Sequence, residues 1–262
     1  MRKYFEFARV QMQVHAAYSA WFWANTFSIL LRMLVIYFFW KAVYSSRTEI
    51  EGLPFDGMIT YIIIALFLQM FVSGVGQELA HTIKDGNVAI ELMRPYNLIT
   101  RLVAMDLGDK IIHFVRGALP LSILAFIFMD ITLPTTWQAG LLFLISAFMC
   151  IWIGTFFDLL IAILAFWTIN LWGLQVMKEA VISFFSGALV PLILFPEWFQ
   201  TISLFLPFQA MVYVPVAIYT GILSGTEAWL ALGSQVFWAV SLFVLLRVLW
   251  TIAIKKVTIF GG

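Results

Sequence analysis

The tightest constraint on this chain is how little of it can face water. Stretches of 20 residues or more carry almost no charge, as from Gly57 to Gly76 and from Gln138 to Phe166. A run of that length and polarity matches one helical crossing of a bilayer's hydrocarbon core. Of the 262 residues, 63% are hydrophobic and 11% charged, against about 25% charged in ordinary globular domains. A water-soluble fold with these proportions could not cover its own core. Inside lipid every backbone amide needs an internal partner, which leaves helices as the element for runs of this length. The expected fold is therefore an all-α integral membrane protein.

Six transmembrane helices are expected, at about 21–43, 57–76, 106–129, 138–166, 178–195 and 227–250, within a single transmembrane domain over 1–262. Trp21, Trp23, Tyr37, Trp40 and Tyr44 bracket the first span as interface anchors do. Ahead of it, residues 1–17 read as an interfacial helix. Arg2, Glu6, Arg9 and Gln13 share one face, and Tyr4, Phe5, Ala8 and Met12 share the other. Charges scattered through Met1–Ala20 speak against a cleavable signal peptide. A short polar loop, Ser45 to Asp56, follows the first span. The third span opens with Asp106, Asp109, Lys110, His113 and Arg116, so its start must project from the membrane or pack against protein. A brief link with Asn170 and Gly173 precedes the fifth span, which Lys178 and Glu179 open. Between spans five and six, Pro191, Pro196, Pro207 and Pro215 break an apolar segment that is too interrupted to cross comfortably. Short re-entrant helices are expected over 196–226, with backbone of this kind tolerated only against protein or a wet cavity.

Six spans put both termini on one side, and the basic residues say which. Arg2, Lys3, Arg9, Lys84, Arg94, Arg101, Lys110, Lys178, Lys255 and Lys256 fall on the terminal side; Lys41 and Arg47 fall opposite. Both termini are expected in the cytoplasm.

The most polar interruption is Lys84 to Asn97, KDGNVAIELMRPYN, within a loop over 81–101. Asp85-Gly86 supplies a turn, Asn87 can cap a helix starting at Val88, and Pro95 disfavours helical backbone at Arg94. A helix of about two turns follows, with Ala89, Leu92 and Met93 on one face. Such a stiff apolar knob flanked by Lys84 and Arg94 suits a cleft on another subunit. A plain surface loop or an interfacial anchor would carry the same pattern.

The run Ile83 to Tyr96, IKDGNVAIELMRPY, resembles the cytoplasmic loop of ABC-2-type exporter permeases, in the branch of six-span subunits whose ATPase is a separate chain. Ser186 to Trp198, SGALVPLILFPEW, with Leu206-Pro207-Phe208 and Tyr213-Val214-Pro215, resembles the same family's segment between its last two spans. The resemblance implies a coupling helix seated on the nucleotide-binding subunit. Gly86 would be its turn, ahead of the Asn87 cap; Val88 to Met93, with Ala89, Ile90 and Leu92, would be its body, and Pro95, after Arg94, its stop. It further implies an interfacial helix beside the ATPase. Six spans do not easily enclose a pathway, so a second permease copy or relative is expected, with an outer gate in the broken segment at Pro191, Pro196 and Pro207. ATP and magnesium would sit on the partner ATPase, and this chain would bind no cofactor. The implied setting is a bacterial-type plasma membrane.

The remaining chemistry is sparse. No phosphate-binding glycine-lysine loop is present, so energy from ATP must come from a partner. His15, His81 and His113 lie on separate segments and make no metal site, and the single Cys150 excludes an internal disulfide. A net charge of +1 points to no nucleic-acid partner. Charges inside spans are costly and need partners or water, at roughly 2.5–3.5 kcal/mol each near a helix centre. Arg32, Arg116 and Asp158 are of this kind, and Asp158 is expected to pair with Arg116 or Arg32, structurally or along a transport path. Arg247 lies close enough to the interface to snorkel. Phe184, Phe185 and Phe195 suit either lipid or an aromatic-lined path. The expected function is export of an apolar, amphipathic, drug-like or lipid-like cargo. Glycan or peptide export, a membrane-embedded lipid-modifying enzyme and a non-transporting assembly subunit are the alternatives.

Overall fold

The computed structural model describes residues 2–17, 19–168 and 171–256. Met1 of the expected first helix and Asn170 of the expected link lie outside the described residues, as do the side chains of His15 and Trp21. Helices α1 (Arg2–Ala17) and α2 (Ser19–Val43) open the chain, followed by a hairpin of β1 (Glu49–Ile50) and β2 (Leu53–Pro54). The hairpin turns through Glu51 and Gly52, both with positive φ, the backbone that a two-residue hairpin turn requires. It lies within the short polar loop expected over Ser45–Asp56. Then come α3 (Phe55–Val72), α4 (Gly76–Lys84), α5 (Val88–Leu92), α6 (Leu98–His113) and α7 (Leu119–Phe128). The second half holds α8 (Trp137–Ile163), α9 (Leu171–Phe185), α10 (Glu197–Leu204), α11 (Phe208–Met211), α12 (Tyr213–Tyr219) and α13 (Gly225–Ala253).

Among the described residues, five helical stretches are long and apolar enough to cross a membrane: Phe22–Ser46, Phe55–Lys84, Leu98–Phe128, Trp137–Phe166 and Gly225–Lys256. The span expected over 178–195 is not one helix. Helix α9 starts at Leu171 and stops at Phe185, and its 15 residues rise only about 22 Å. Its end falls where Ser186-Gly187 and Pro191 remove helical backbone, and a single 3-10 turn, Leu192–Leu194, follows. The third expected span also starts early. Asn97 has extended backbone and its side chain accepts from the Thr100 amide at 3.0 Å, an N-cap that sets α6 going at Leu98. A π-helical turn, Phe114–Ala118, joins α6 to α7.

Helix α3 is central. Of its 18 residues, 12 are buried, as expected of a helix apolar all round. It packs on α8, α12 and α2, while α13 lies along α8 and α1 lies along α6. Two glycines set the close approaches. A Cβ on Gly154 of α8 would stand 2.6 Å from the Val72 carbonyl oxygen, and one on Gly108 of α6 would stand 2.5 Å from that of Ala8. The neighbours therefore meet backbone to backbone.

The face that α1 turns to α6 is not quite the one its pattern suggests. Tyr4, Phe7, Ala8 and Gln11 are half-buried there, while Phe5 is 71% exposed. The α6 surface supplies polar partners, such as Asp109 accepting from Gln11 Nε2 at 3.2 Å, so Gln11 packs inward.

The segment after Pro196 forms three short helices, with α11 wholly buried and α12 largely so. Gln235 of α13 donates to the Ala210 carbonyl at 2.8 Å and accepts from Ser146 Oγ at 2.8 Å. A carbonyl near the α11–α12 junction thus finds a protein partner instead of lipid.

Candidate functional site

Gly86 has φ +75, and so makes the left-handed turn expected of it. Asn87 does not cap. Its own backbone is helical, φ −66 and ψ −14, and its side chain makes no capping bond, because capping needs an extended residue there. Helix α5 is accordingly shorter than the two turns expected, five residues ending at Leu92, with Met93 as its C-cap. Val88 is buried and Ala89 half-buried. Ile90, Leu92 and Met93 are 52%, 39% and 74% exposed, an apolar tip with no protein over it.

The tip stands on a braced base. Arg101 of α6 pairs with Glu91 at 2.7 Å and with Glu78 of α4 at 3.5 Å. Tyr96 donates to the same Glu91 carboxylate at 2.7 Å and accepts from Arg94 at 3.0 Å. The Tyr96 hydrogen bond, and then the Glu91 charge, hold the Arg94 guanidinium above its ordinary pKa. Helix α1 closes the other side. Lys3 Nζ donates to the Pro95 carbonyl at 2.8 Å, Tyr4 Oη accepts from the Asn97 amide at 3.1 Å, and the Phe7 ring meets Tyr96 edge-on at 5.4 Å. The brace could not be read from spacing along the chain, because its members come from four elements.

A second charged group lies where α3 breaks. Ser73–Val75 leave the helix and Gly76 resumes it as α4. Asp158 of α8 accepts from the Gly74 amide at 3.0 Å and the Gly76 amide at 2.7 Å. Its other oxygen pairs with Lys178 of α9 at 2.5 Å. The expected partners, Arg116 and Arg32, are therefore both wrong. Arg116 sits exposed in the π-helical turn, and Arg32 faces a cavity elsewhere. Beside this pair, Lys110 bonds Asp106 at 2.6 Å and Thr155 at 2.7 Å, and Thr155 donates to Asp106 at 2.8 Å. Asp106, Lys110, Asp158 and Lys178 are all buried, so these charges are paired and hydrogen-bonded as burial demands. A Cβ on Gly76 would stand 2.6 Å from the Asp158 carbonyl; the glycines let the broken backbone reach the carboxylate.

The third feature is a cavity of about 480 Å³ between α2, α3, α6 and α9, lined by Asn25, Arg32, Gln69, His113, Glu179 and Ser183 among others. Gln69 Nε2 donates to Ser183 at 2.7 Å, while Gln69 Oε1 is buried without a hydrogen-bond partner. The Arg32 and Glu179 side chains, both exposed, have no hydrogen bond or ion pair among the described residues.

The other singled-out residues fall apart from these. Pro191 and Pro207 are buried and Pro196 is exposed at the start of α10. Phe184, Phe185 and Phe195 join Phe199 in one ring cluster, with 195–199 stacked at 4.5 Å. Arg247 is exposed and lies over the Phe243 ring at 5.9 Å. Among the described residues no group of three or more His, Cys, Asp or Glu could hold a metal ion.

An almost wholly helical chain with several bilayer-length apolar helices is a multi-pass membrane protein. Residues 30–261 match the family described as ABC-2 family transporter protein. The chain belongs to that family and is an ABC-2-type transporter permease. Comparison with curated proteins finds no match.

Proposed function

We propose that this chain is the membrane subunit of an exporter driven by a separate ATP-binding-cassette ATPase, and that α5 is the coupling helix between them. The observation that carries this reading is the exposed apolar tip, Ile90, Leu92 and Met93, on a base that four elements hold rigid. A stiff apolar projection among polar residues is the form of a helix that docks in a cleft. ATP and magnesium act on the partner chain. Nucleotide-driven movement of the ATPase pushes on α5, and the brace through Glu91, Arg101 and Tyr96 passes the push to α4, α6 and α1.

The proposed arrangement has six spans, α9 and the turn after it making the fifth, with both termini cytoplasmic in a bacterial-type plasma membrane. Residues 1–262 form a single transmembrane domain. A second permease, identical or related, completes the pathway. Helix α1 lies in the interface beside the ATPase, and 196–226 with Pro191, Pro196 and Pro207 forms the outer gate. The cargo is apolar or amphipathic, drug-like or lipid-like, and leaves the cytoplasm or the inner leaflet.

Leu92→Glu tests the coupling contact. Leu92 is exposed, so the permease should fold and insert as before while the ATPase no longer co-purifies with it. Co-purification at the wild-type ratio would overturn the assignment of α5.

A further inference from the structure

We infer that the cavity between α2, α3, α6 and α9 is a binding site for an amphiphile with a zwitterionic head, bearing an anionic group and a primary ammonium. The inference rests on the permease reading and names its cargo class.

The depth of the cavity makes its lining unusual. Arg32 is near the middle of the 25-residue α2. Gln69 lies about 20 Å along α3 from Phe55 at 1.5 Å per residue, and Glu179 is past the middle of α9. A charge at such depth has a substantial insertion cost unless it meets a partner. Here two charges of opposite sign line one space of about 480 Å³, within the range of small-ligand sites, about 300–1,000 Å³. Neither is paired among the described residues.

Each wall fits one half of such a head. A guanidinium presents a planar fork of donors that matches phosphate or carboxylate, so Arg32 takes the anionic group. The opposite need falls to acceptors. The Glu179 carboxylate and the unpartnered Gln69 Oε1 can receive N–H donors, and a primary ammonium has three of them. A trimethylated ammonium has none and would leave Gln69 Oε1 unsatisfied. The apolar side chains Ile29, Leu66 and Ile182 line the same cavity and suit the start of an acyl chain.

Consecutive residues of α9 show why Glu179 is free for this. Lys178 turns inward and is consumed by Asp158; Glu179 faces the cavity. A pair built only to hold the fold would have closed on itself, as Lys178 and Asp158 do.

The test measures head-group preference on the purified full-length permease. The probes share one acyl chain: lysophosphatidylethanolamine, lysophosphatidylcholine, lysophosphatidylglycerol and an alkylamine. The ethanolamine probe should bind about tenfold tighter than each other probe, the scale of one charge-assisted hydrogen bond. Arg32→Gln should abolish its advantage over the alkylamine, and Arg32→Lys should keep part of it. Glu179→Gln should abolish its advantage over the glycerol probe. Equal binding of all four probes by the wild type overturns the proposal without any variant. Wild-type preferences in both Gln variants overturn it as well, and if those variants also lose a dimer on sizing, the charges pair between copies. Glycerophosphoethanolamine, which lacks the acyl chain, should bind at least tenfold more weakly; equal binding overturns the amphiphile. Head-group selectivity and ATPase co-purification are independent readouts, so a loss of one leaves the other standing.

Discussion

Two sets of charges meet at consecutive residues of α9, Lys178 and Glu179, and have opposite surroundings. At the α3 break, Asp158, Lys178, Asp106 and Lys110 are buried and consume one another's hydrogen bonds. In the cavity, Arg32 and Glu179 face open space. Sequence alone sorts them differently, with Arg32 and Asp158 inside spans and Asp106, Lys110, Lys178 and Glu179 at span starts. What separates them is whether a neighbouring helix brings a partner within reach. A closed set stabilises one backbone path, while an open set leaves interaction energy for something that arrives.

The largest effect should come from breaking the closed set. Asp158→Ala strands the buried Lys178 and two amides, which costs about 3–5 kcal/mol. Thermal unfolding in detergent should shift down by about 10 °C. Asp158→Leu combined with Lys178→Met should recover more than half of that loss, because no charge is then left unpaired. A double variant no better than Asp158→Ala would show that the carboxylate's bonds to Gly74 and Gly76, rather than its charge pair, hold the break together. Next in size is Gly154→Ala, whose methyl meets the Val72 backbone at 2.6 Å. It should destabilise by about 1–3 kcal/mol through overpacking, read in the same unfolding experiment. The smallest effect belongs to the open set. Glu179→Gln should leave the unfolding midpoint within about 2 °C of wild type. A fall as large as that of Asp158→Ala would erase the distinction between the two sets.

The apolar runs made the long helices legible, because nothing else suits such stretches in lipid. Their ends were less so. Asn87 and Asn97 each precede a helix, yet only Asn97 has the extended backbone, φ −82 and ψ 121, that lets its side chain cap. The residue type does not decide this, since both are asparagines; at Asn97 the backbone amide is also held by Tyr4 Oη. The partner of Asp158 was misjudged for a related reason. Lys178 reads as the first residue of a span when the helix is started there, but α9 starts at Leu171 and carries Lys178 seven residues along. Arg116, conversely, belongs to a helix that starts at Leu98, and the wide turn at Phe114–Ala118 leaves it exposed. The glycine pair at 74 and 76 read as the end of a span. Its use as a socket for a carboxylate 82 residues away depends on tertiary packing that no local pattern encodes.

The seat of α1 on α6 has one further consequence. Gly108 lets Ala8 touch the α6 backbone, while Lys3, Tyr4 and Phe7 grip the chain just after α5. Helix α1 is thus fastened at one place to a membrane-crossing rod and at another to the projecting loop. Phe5, Val10 and Val14 are still exposed, and on the proposed placement of α1 in the interface lipid headgroups would hold that outer surface. Headgroup packing would then act as a mechanical load in series with the loop, and a stiffer leaflet would resist its every displacement.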